Sequence, residues 1–195
     1  MKKTKLILLE LYKNKMLDRS YLYLLLLFSF SLFGQDVNFA APKTIKANFT
    51  MASVKAYQES ATLKIEDYYQ YLNLLSDEAT PENLKREIKT SIFSLFENEK
   101  VMVIDFTSTE NTTISLPDFI DKITNKNFSF VISNFENSIV ASDYWTTKYQ
   151  LTVTQNKISK PIILLQQIGF KPVYKNFGNT KKEVWTLFLG EVTLP

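Results

Sequence analysis

Apolar residues recur along this chain in three different rhythms, and each predicts a different kind of element. Tyr21 to Phe33 (YLYLLLLFSFSLF) is an uncharged run of thirteen residues behind a lysine-rich leader, and it stops at Gly34, Gln35 and Asp36. From Val54 the rhythm is helical: Val54, Tyr57, Ala61, Ile65, Tyr68, Leu72 and Leu75 recur at intervals of 3, 4, 4, 3, 4 and 3. Such a stripe lies on one face of a helix of about six turns. Ser76 to Ala79 form a short turn. Thr80, Pro81 and Glu82 then supply an N-cap, a proline at the first helical position and an early acid that suits the helix dipole. A second helix is predicted from there to near Asn98, with Leu84, Ile88, Ile92, Leu95 and Phe96 on one side. The two helices make a hairpin with one joint apolar face.

After Lys100 the period falls to two. Val101, Val103 and Asp105 alternate with Met102, Ile104 and Phe106, the pattern of a strand buried on most of both faces. Thr107 to Thr113 is turn-like and leads into a short return strand ending near Leu116. Pro117 then opens a short helix carrying Phe119, Ile120 and Ile123. Four longer strands are predicted over 128–140, 144–155, 161–174 and 183–193, parted by turns at Ser142-Asp143, Asn156-Lys157 and Asn176 to Lys181. Pro161 and Pro172 belong at strand ends or on an edge, since proline has no N–H to give a ladder. Residues 35–52 show no period and are expected to be a flexible lead-in to a single domain over 53–195.

The basic start, the apolar run and the small residue before a polar stretch are the three parts of a secretory signal peptide over residues 1–34. Cleavage is expected after Gly34, although Leu32 is larger than signal peptidase prefers at that place, and Met16 is an alternative start. The run is short for a bilayer, whose core takes roughly 20 residues of helix. Membrane attachment is therefore expected only if the segment is retained. Removing 1–34 takes six basic and two acidic residues from the 23 and 20 of the whole chain, leaving 17 and 18, a formal charge of −1. The basic character belongs to the leader, so nucleic acid is not an expected partner.

The chain has no cysteine and no histidine. Disulfides, thiol nucleophiles, a Ser-His-Asp triad and histidine-containing zinc sites are all excluded, and no metal or cofactor is expected. Stability must come from a core, which at ~160 residues buries roughly two-thirds of the unfolded chain's surface. Gly169, Gly178 and Gly190 are too dispersed for a phosphate-binding loop. The sequons at Asn48, Asn111 and Asn127 matter only in a eukaryotic source.

The segments YYQYLNLLSDEATPENLKREIKTSIFSLF, VMVIDF, PDFIDKI and KKEVWTLFLGEV occur in the order helix pair, strand, short helix and closing strand. In that order, over Tyr57 to Leu194, the chain resembles the NTF2-like superfamily. It is also similar to exported Bacteroidetes domains that follow a signal peptide with such a helical pair. The resemblance implies an α+β fold: a helical hairpin plus a short third helix packed on a strongly curved, mostly antiparallel sheet, with a pocket at the open end of the cone. It also implies that a catalytic member would carry an acid or histidine in that pocket. One fold hosts many activities, so function must come from the site.

Asp105 is the one weak catalytic candidate, because a carboxyl buried in such a cavity has a raised pKa and can act as a base. The plainer alternative is a strand-end acid, solvated or capping the turn that follows. Tyr57, Tyr68, Trp145 and Trp185 are candidate ligand-binding residues, against the plainer alternative that aromatic residues at these spacings are core. Asp118 and Asp121 lie close on one helix, and a solvated face at its N-terminus accounts for both. The resulting expectation is an exported domain, periplasmic or secreted, that binds a small apolar ligand in the cone or an envelope protein on the outer sheet face. Homodimerisation through that face is one form of the second option. The alternatives are an NTF2-like hydrolase, isomerase or dehydratase using a carboxylate and a tyrosine, and a membrane-anchored accessory subunit of an envelope machine.

Overall fold

The computed structural model describes residues 44–108 and 110–195; the expected signal peptide and residues 35–43 of the lead-in lie outside them. The elements are α1 (Ile45–Asn48), α2 (Met51–Ser76), α3 (Glu82–Leu95), β1 (Met102–Ile104), β2 (Thr113–Ser115), α4 (Leu116–Ile123), β3 (Ser129–Asn137), β4 (Tyr144–Gln155), β5 (Ile158–Phe177) and β6 (Thr180–Thr193). The fold is α+β. The α2–α3 hairpin packs on a six-stranded sheet of order β2-β1-β6-β5-β4-β3. Every pairing is antiparallel except that of β1 with β6, where Val103 stands opposite Val192. No helix among the described residues is long and apolar enough to cross a membrane.

The helical stripe forms the centre of the core: Val54, Ala61, Ile65, Tyr68, Leu72 and Leu75 are all buried. Tyr69 is buried beside Tyr68, which widens the stripe beyond its predicted width. The expected lead-in ends early. Thr44 caps α1, whose Ile45 is fully buried, and Thr50 caps α2 by accepting from Ser53 N at 3.2 Å. In α3, Pro81 rather than Thr80 takes the N-cap place. Leu84 is exposed there, and Lys85 is buried in its stead, with its ammonium on the Asn125 side chain and 3.3 Å from Glu82. A lysine tolerates this when its stem packs and its head finds acceptors. Asn73 joins α2 to the sheet as if it were a strand neighbour, accepting from Phe130 N at 2.7 Å and donating to Phe130 O at 3.0 Å.

β4 and β5 meet at Asn156-Lys157, both with positive φ (50° and 67°), the backbone of a type I′ turn. β5 runs past both of its neighbours. Residues 158–169 pair with β4 and residues 165–177 with β6. Pro161 and Pro172 therefore each sit where β5 has one neighbour only, a local edge that needs no donor on its open side.

Two bulges interrupt the ladders, one in β3 and one in β6. Asn134 (φ 59°) and Phe135 together oppose Tyr149, while Gly190 and Glu191 together oppose Gln167. The sheet nevertheless is not strongly curled, which corrects the wrapped cone implied by the resemblance. Its helix-facing side is filled: Tyr68, Tyr69, Phe106, Phe119 and Phe130 stand in edge-on or tilted ring contacts between the layers. With that volume occupied, helices and sheet close directly on each other.

Candidate functional site

The most developed concavity lies outside the core, where α1 and the start of α2 meet the chain after β3. The Ile45 amide donates to Ser142 O at 2.7 Å, and Gln58 Nε2 donates to Ser138 O at 3.3 Å. These two bonds hold the N-terminal helices against the 138–142 segment. Between them opens a groove of about 900 Å3 with Phe49, Met51, Val54, Ile139 and Val140 as its apolar lining and Lys46, Lys55, Gln58 and Asn137 as its polar members. Met51 and Ile139 are 82% and 88% exposed, large apolar side chains without core contacts to explain them. Among the described residues no carboxylate lines the groove.

Phe49 connects the groove to an aromatic cluster. Its ring centroid lies 5.2 Å from Tyr57, 5.1 Å from Phe170 and 5.0 Å from Trp185. Trp145 reaches the same cluster through Phe170 at 6.3 Å. Three of the four aromatic candidates, Tyr57, Trp145 and Trp185, are thus brought together; Trp145 is buried, and Tyr57 and Trp185 are half-buried. Tyr68 stands apart, fully buried between Tyr69 and Phe96.

A second polar feature lies inside. The hydroxyls of Tyr69 and Tyr149 are 2.9 Å apart, and Tyr149 donates to Gln166 Oε1 at 3.4 Å. Gln166 Nε2 in turn donates to Gly190 O at 2.7 Å. Because Tyr149 has one proton and gives it to Gln166, Tyr69 must be the donor within the tyrosine pair. The chain ends on the carbonyl that the β6 bulge releases from the ladder. Burial pushes the Tyr68, Tyr69 and Tyr149 hydroxyls far above their ordinary pKa, so none is poised to act as a base. Tyr68 Oη and Trp145 Nε1 are buried without a hydrogen-bond partner among the described residues.

Asp105 lies just past β1 and is buried, with its carboxylate accepting from Thr107 N at 3.1 Å, from Thr107 Oγ1 at 2.6 Å and from the Lys122 ammonium. Burial alone would raise its pKa. The Lys122 and Thr107 contacts outweigh that and hold the carboxyl below its usual range. A carboxylate so engaged fastens the 105–108 turn to α4 and has no poise for general base work. Asp118 receives the Ser115 hydroxyl at the N-terminus of α4, and Asp121 pairs with Lys89 at 2.7 Å, so neither belongs to a carboxylate pair. Among the described residues no cluster of three or more metal-ligating side chains occurs.

Phe49 and Met51 escape sequence reasoning because they fall in a stretch without a period, and Ile139 because it was counted in a strand that ends at Asn137. The usable signal was the pair of caps, Thr44 before Ile45 and Thr50 before Met51, each a threonine ahead of a short apolar group. No protein-family model and no curated protein matches this chain.

Proposed function

We propose that this chain is an exported, non-enzymatic binding domain of NTF2-like descent whose site is the Phe49–Val140 groove rather than a central cone. The helix pair, the β1–β2 hairpin, the short α4 and the β3–β6 meander support the NTF2-like order, as does the parallel joining of β1 to β6. The observation that carries the binding reading is the groove itself. Its volume of about 900 Å3 falls within the ~300–1,000 Å3 of small-molecule sites. Two fully presented apolar side chains, Met51 and Ile139, stand at it. Against the catalytic reading stand the engagement of Asp105 with Lys122 and Thr107 and the filled interior between helices and sheet.

The ligand class that fits is a small, largely apolar molecule with a neutral or negative polar end, set by Lys46 and Lys55 at the margin. Titration with dodecanoate, followed through Trp185 fluorescence beside Phe49, tests this. Saturable quenching is expected in the parent protein and loss of it in Met51→Glu and Ile139→Glu, which alter exposed positions only. Saturable binding that both variants retain would show that the ligand sits elsewhere.

A further inference from the structure

The end of the β5–β6 hairpin has the composition and placement of a docking arm. Beyond Gly169, β5 has lost β4 as a neighbour, and its residues 170–177 pair with 180–187 of β6 alone. The base of this ribbon is fixed by Phe170 and Trp185 in the aromatic cluster. Residues 174–183 are exposed throughout, and the ribbon turns at Gly178-Asn179, where Gly178 has φ +59°. Two-stranded ribbons are at best marginal by themselves in water. Residues 174–183 add nothing to the buried core.

Directly paired residues of an antiparallel ribbon share a face. One face carries Tyr174 opposite Glu183 and Asn176 opposite Lys181. The other carries Val173 opposite Val184, Lys175 opposite Lys182 and Phe177 opposite Thr180. On that second face two lysines oppose each other and no acid stands among the paired residues 173, 175, 177, 180, 182 and 184, an arrangement that destabilises a sheet. Lys64 of α2 adds a further positive charge within electrostatic range of Lys175, with Asp67 acting on Lys64 in the other direction. Lys171, lower on the same face, is already paired with Glu97. Phe177 is 53% exposed at the tip, beneath the Lys182 ammonium 6.0 Å from its ring. Over 174–183 the charge is +2, from Lys175, Lys181 and Lys182 against Glu183.

We propose that this face of the arm docks the protein on a bilayer bearing anionic headgroups. An aromatic ring at a tip enters the headgroup layer, and lysines one pair behind it meet lipid phosphates while their stems follow the ring inward. The anions also relieve the Lys175–Lys182 opposition. Nucleic acid is the poorer fit, because two opposed lysines make too few phosphate contacts to hold a duplex at physiological salt. The inference is independent of the groove and its ligand.

Co-sedimentation of the full chain with equimolar phosphatidylglycerol–phosphatidylcholine vesicles, and with phosphatidylcholine vesicles alone, tests the proposal. The parent is expected to prefer the anionic vesicles. Lys175→Gln with Lys182→Gln should lower partitioning about thirtyfold, and Phe177→Ser about tenfold. Lys175→Glu separates docking from folding: it replaces the like-charge pair by an opposite pair, so it should melt at or above the parent temperature while binding vesicles less. Equal partitioning by parent and double glutamine variant overturns the proposal, as happens if residues outside the arm carry the chain to the bilayer. Binding of duplex DNA, lost with the same two lysines and without vesicle binding, overturns it as well.

Discussion

Adjacent tyrosines in α2 should respond to loss of their hydroxyls with opposite signs. Tyr69 donates to Tyr149 in a chain that continues through Gln166 to Gly190 O, whereas the Tyr68 hydroxyl is buried with no partner among the described residues. Tyr69→Phe removes one buried donor but leaves the Tyr149 proton on Gln166, so it should cost about 1 kcal/mol. Tyr149→Phe strands the Tyr69 proton and takes a donor from Gln166 Oε1, and should cost about 2 kcal/mol. Combining the two removes the stranded group, so the double variant should be more stable than the sum predicts, with a coupling of about 1 kcal/mol. Tyr68→Phe removes an unsatisfied polar atom and should leave stability unchanged or raise it by about 1 kcal/mol. Urea unfolding followed by circular dichroism gives all four free energies under one set of conditions. A loss in Tyr68→Phe as large as that in Tyr69→Phe, or a Tyr149→Phe no worse than Tyr69→Phe, would refute the assigned hydrogen-bond directions.

Other tests reach different parts of the fold. Asp105 has its pKa lowered on folding, so its contribution is present above the unfolded carboxylate value near 3.8 and is lost as pH falls through the folded value; Asp105→Asn should flatten the stability profile below about pH 4 in acid titration of the unfolding midpoint. The three buried tyrosines have raised values, so their contribution holds below about pH 10 and is lost as pH climbs beyond it; their ultraviolet ionisation signal should appear together with unfolding rather than before it. Lys157 holds φ 67° in a two-residue turn, and Lys157→Gly should raise the unfolding free energy by about 0.5–1 kcal/mol. A Cβ at Gly190 would come within 3.1–3.2 Å of Gln167, so Gly190→Ala should cost about 1–3 kcal/mol, read in the same unfolding assay.

The periodic parts of the chain were legible and the aperiodic parts were not. The stripe from Val54 to Leu75 and the turn at Asn156-Lys157 follow from local chemistry, and both appear where they were expected. The prolines of β5 also fell on local edges, because a missing N–H leaves few other places. Lys85 and Leu84 exchanged places because helix rotation is decided by what the neighbouring turn offers, here Asn125, and that residue is 40 positions away. The bulges were illegible for a similar reason: Asn134 and Gly190 are ordinary loop or strand residues until a partner strand fixes which residue is surplus. Asp105 was placed at the end of its strand as expected, but its burial depends on Lys122, a contact made by tertiary packing. Three candidate aromatics converged through Phe170 of β5, which meets Tyr57, Trp145 and Trp185, a convergence that tertiary packing decides.

β6 lies between β1 and β5 in the sheet, and its contacts with Val103 and Phe96 join the β1–β2 hairpin to the β3–β5 meander. This makes it the strand that closes the sheet. The helices and hairpins before it can form locally, yet the sheet is incomplete until Leu189 meets Phe96 and Val192 meets Val103. Such pairings across long sequence separations slow folding and make it cooperative.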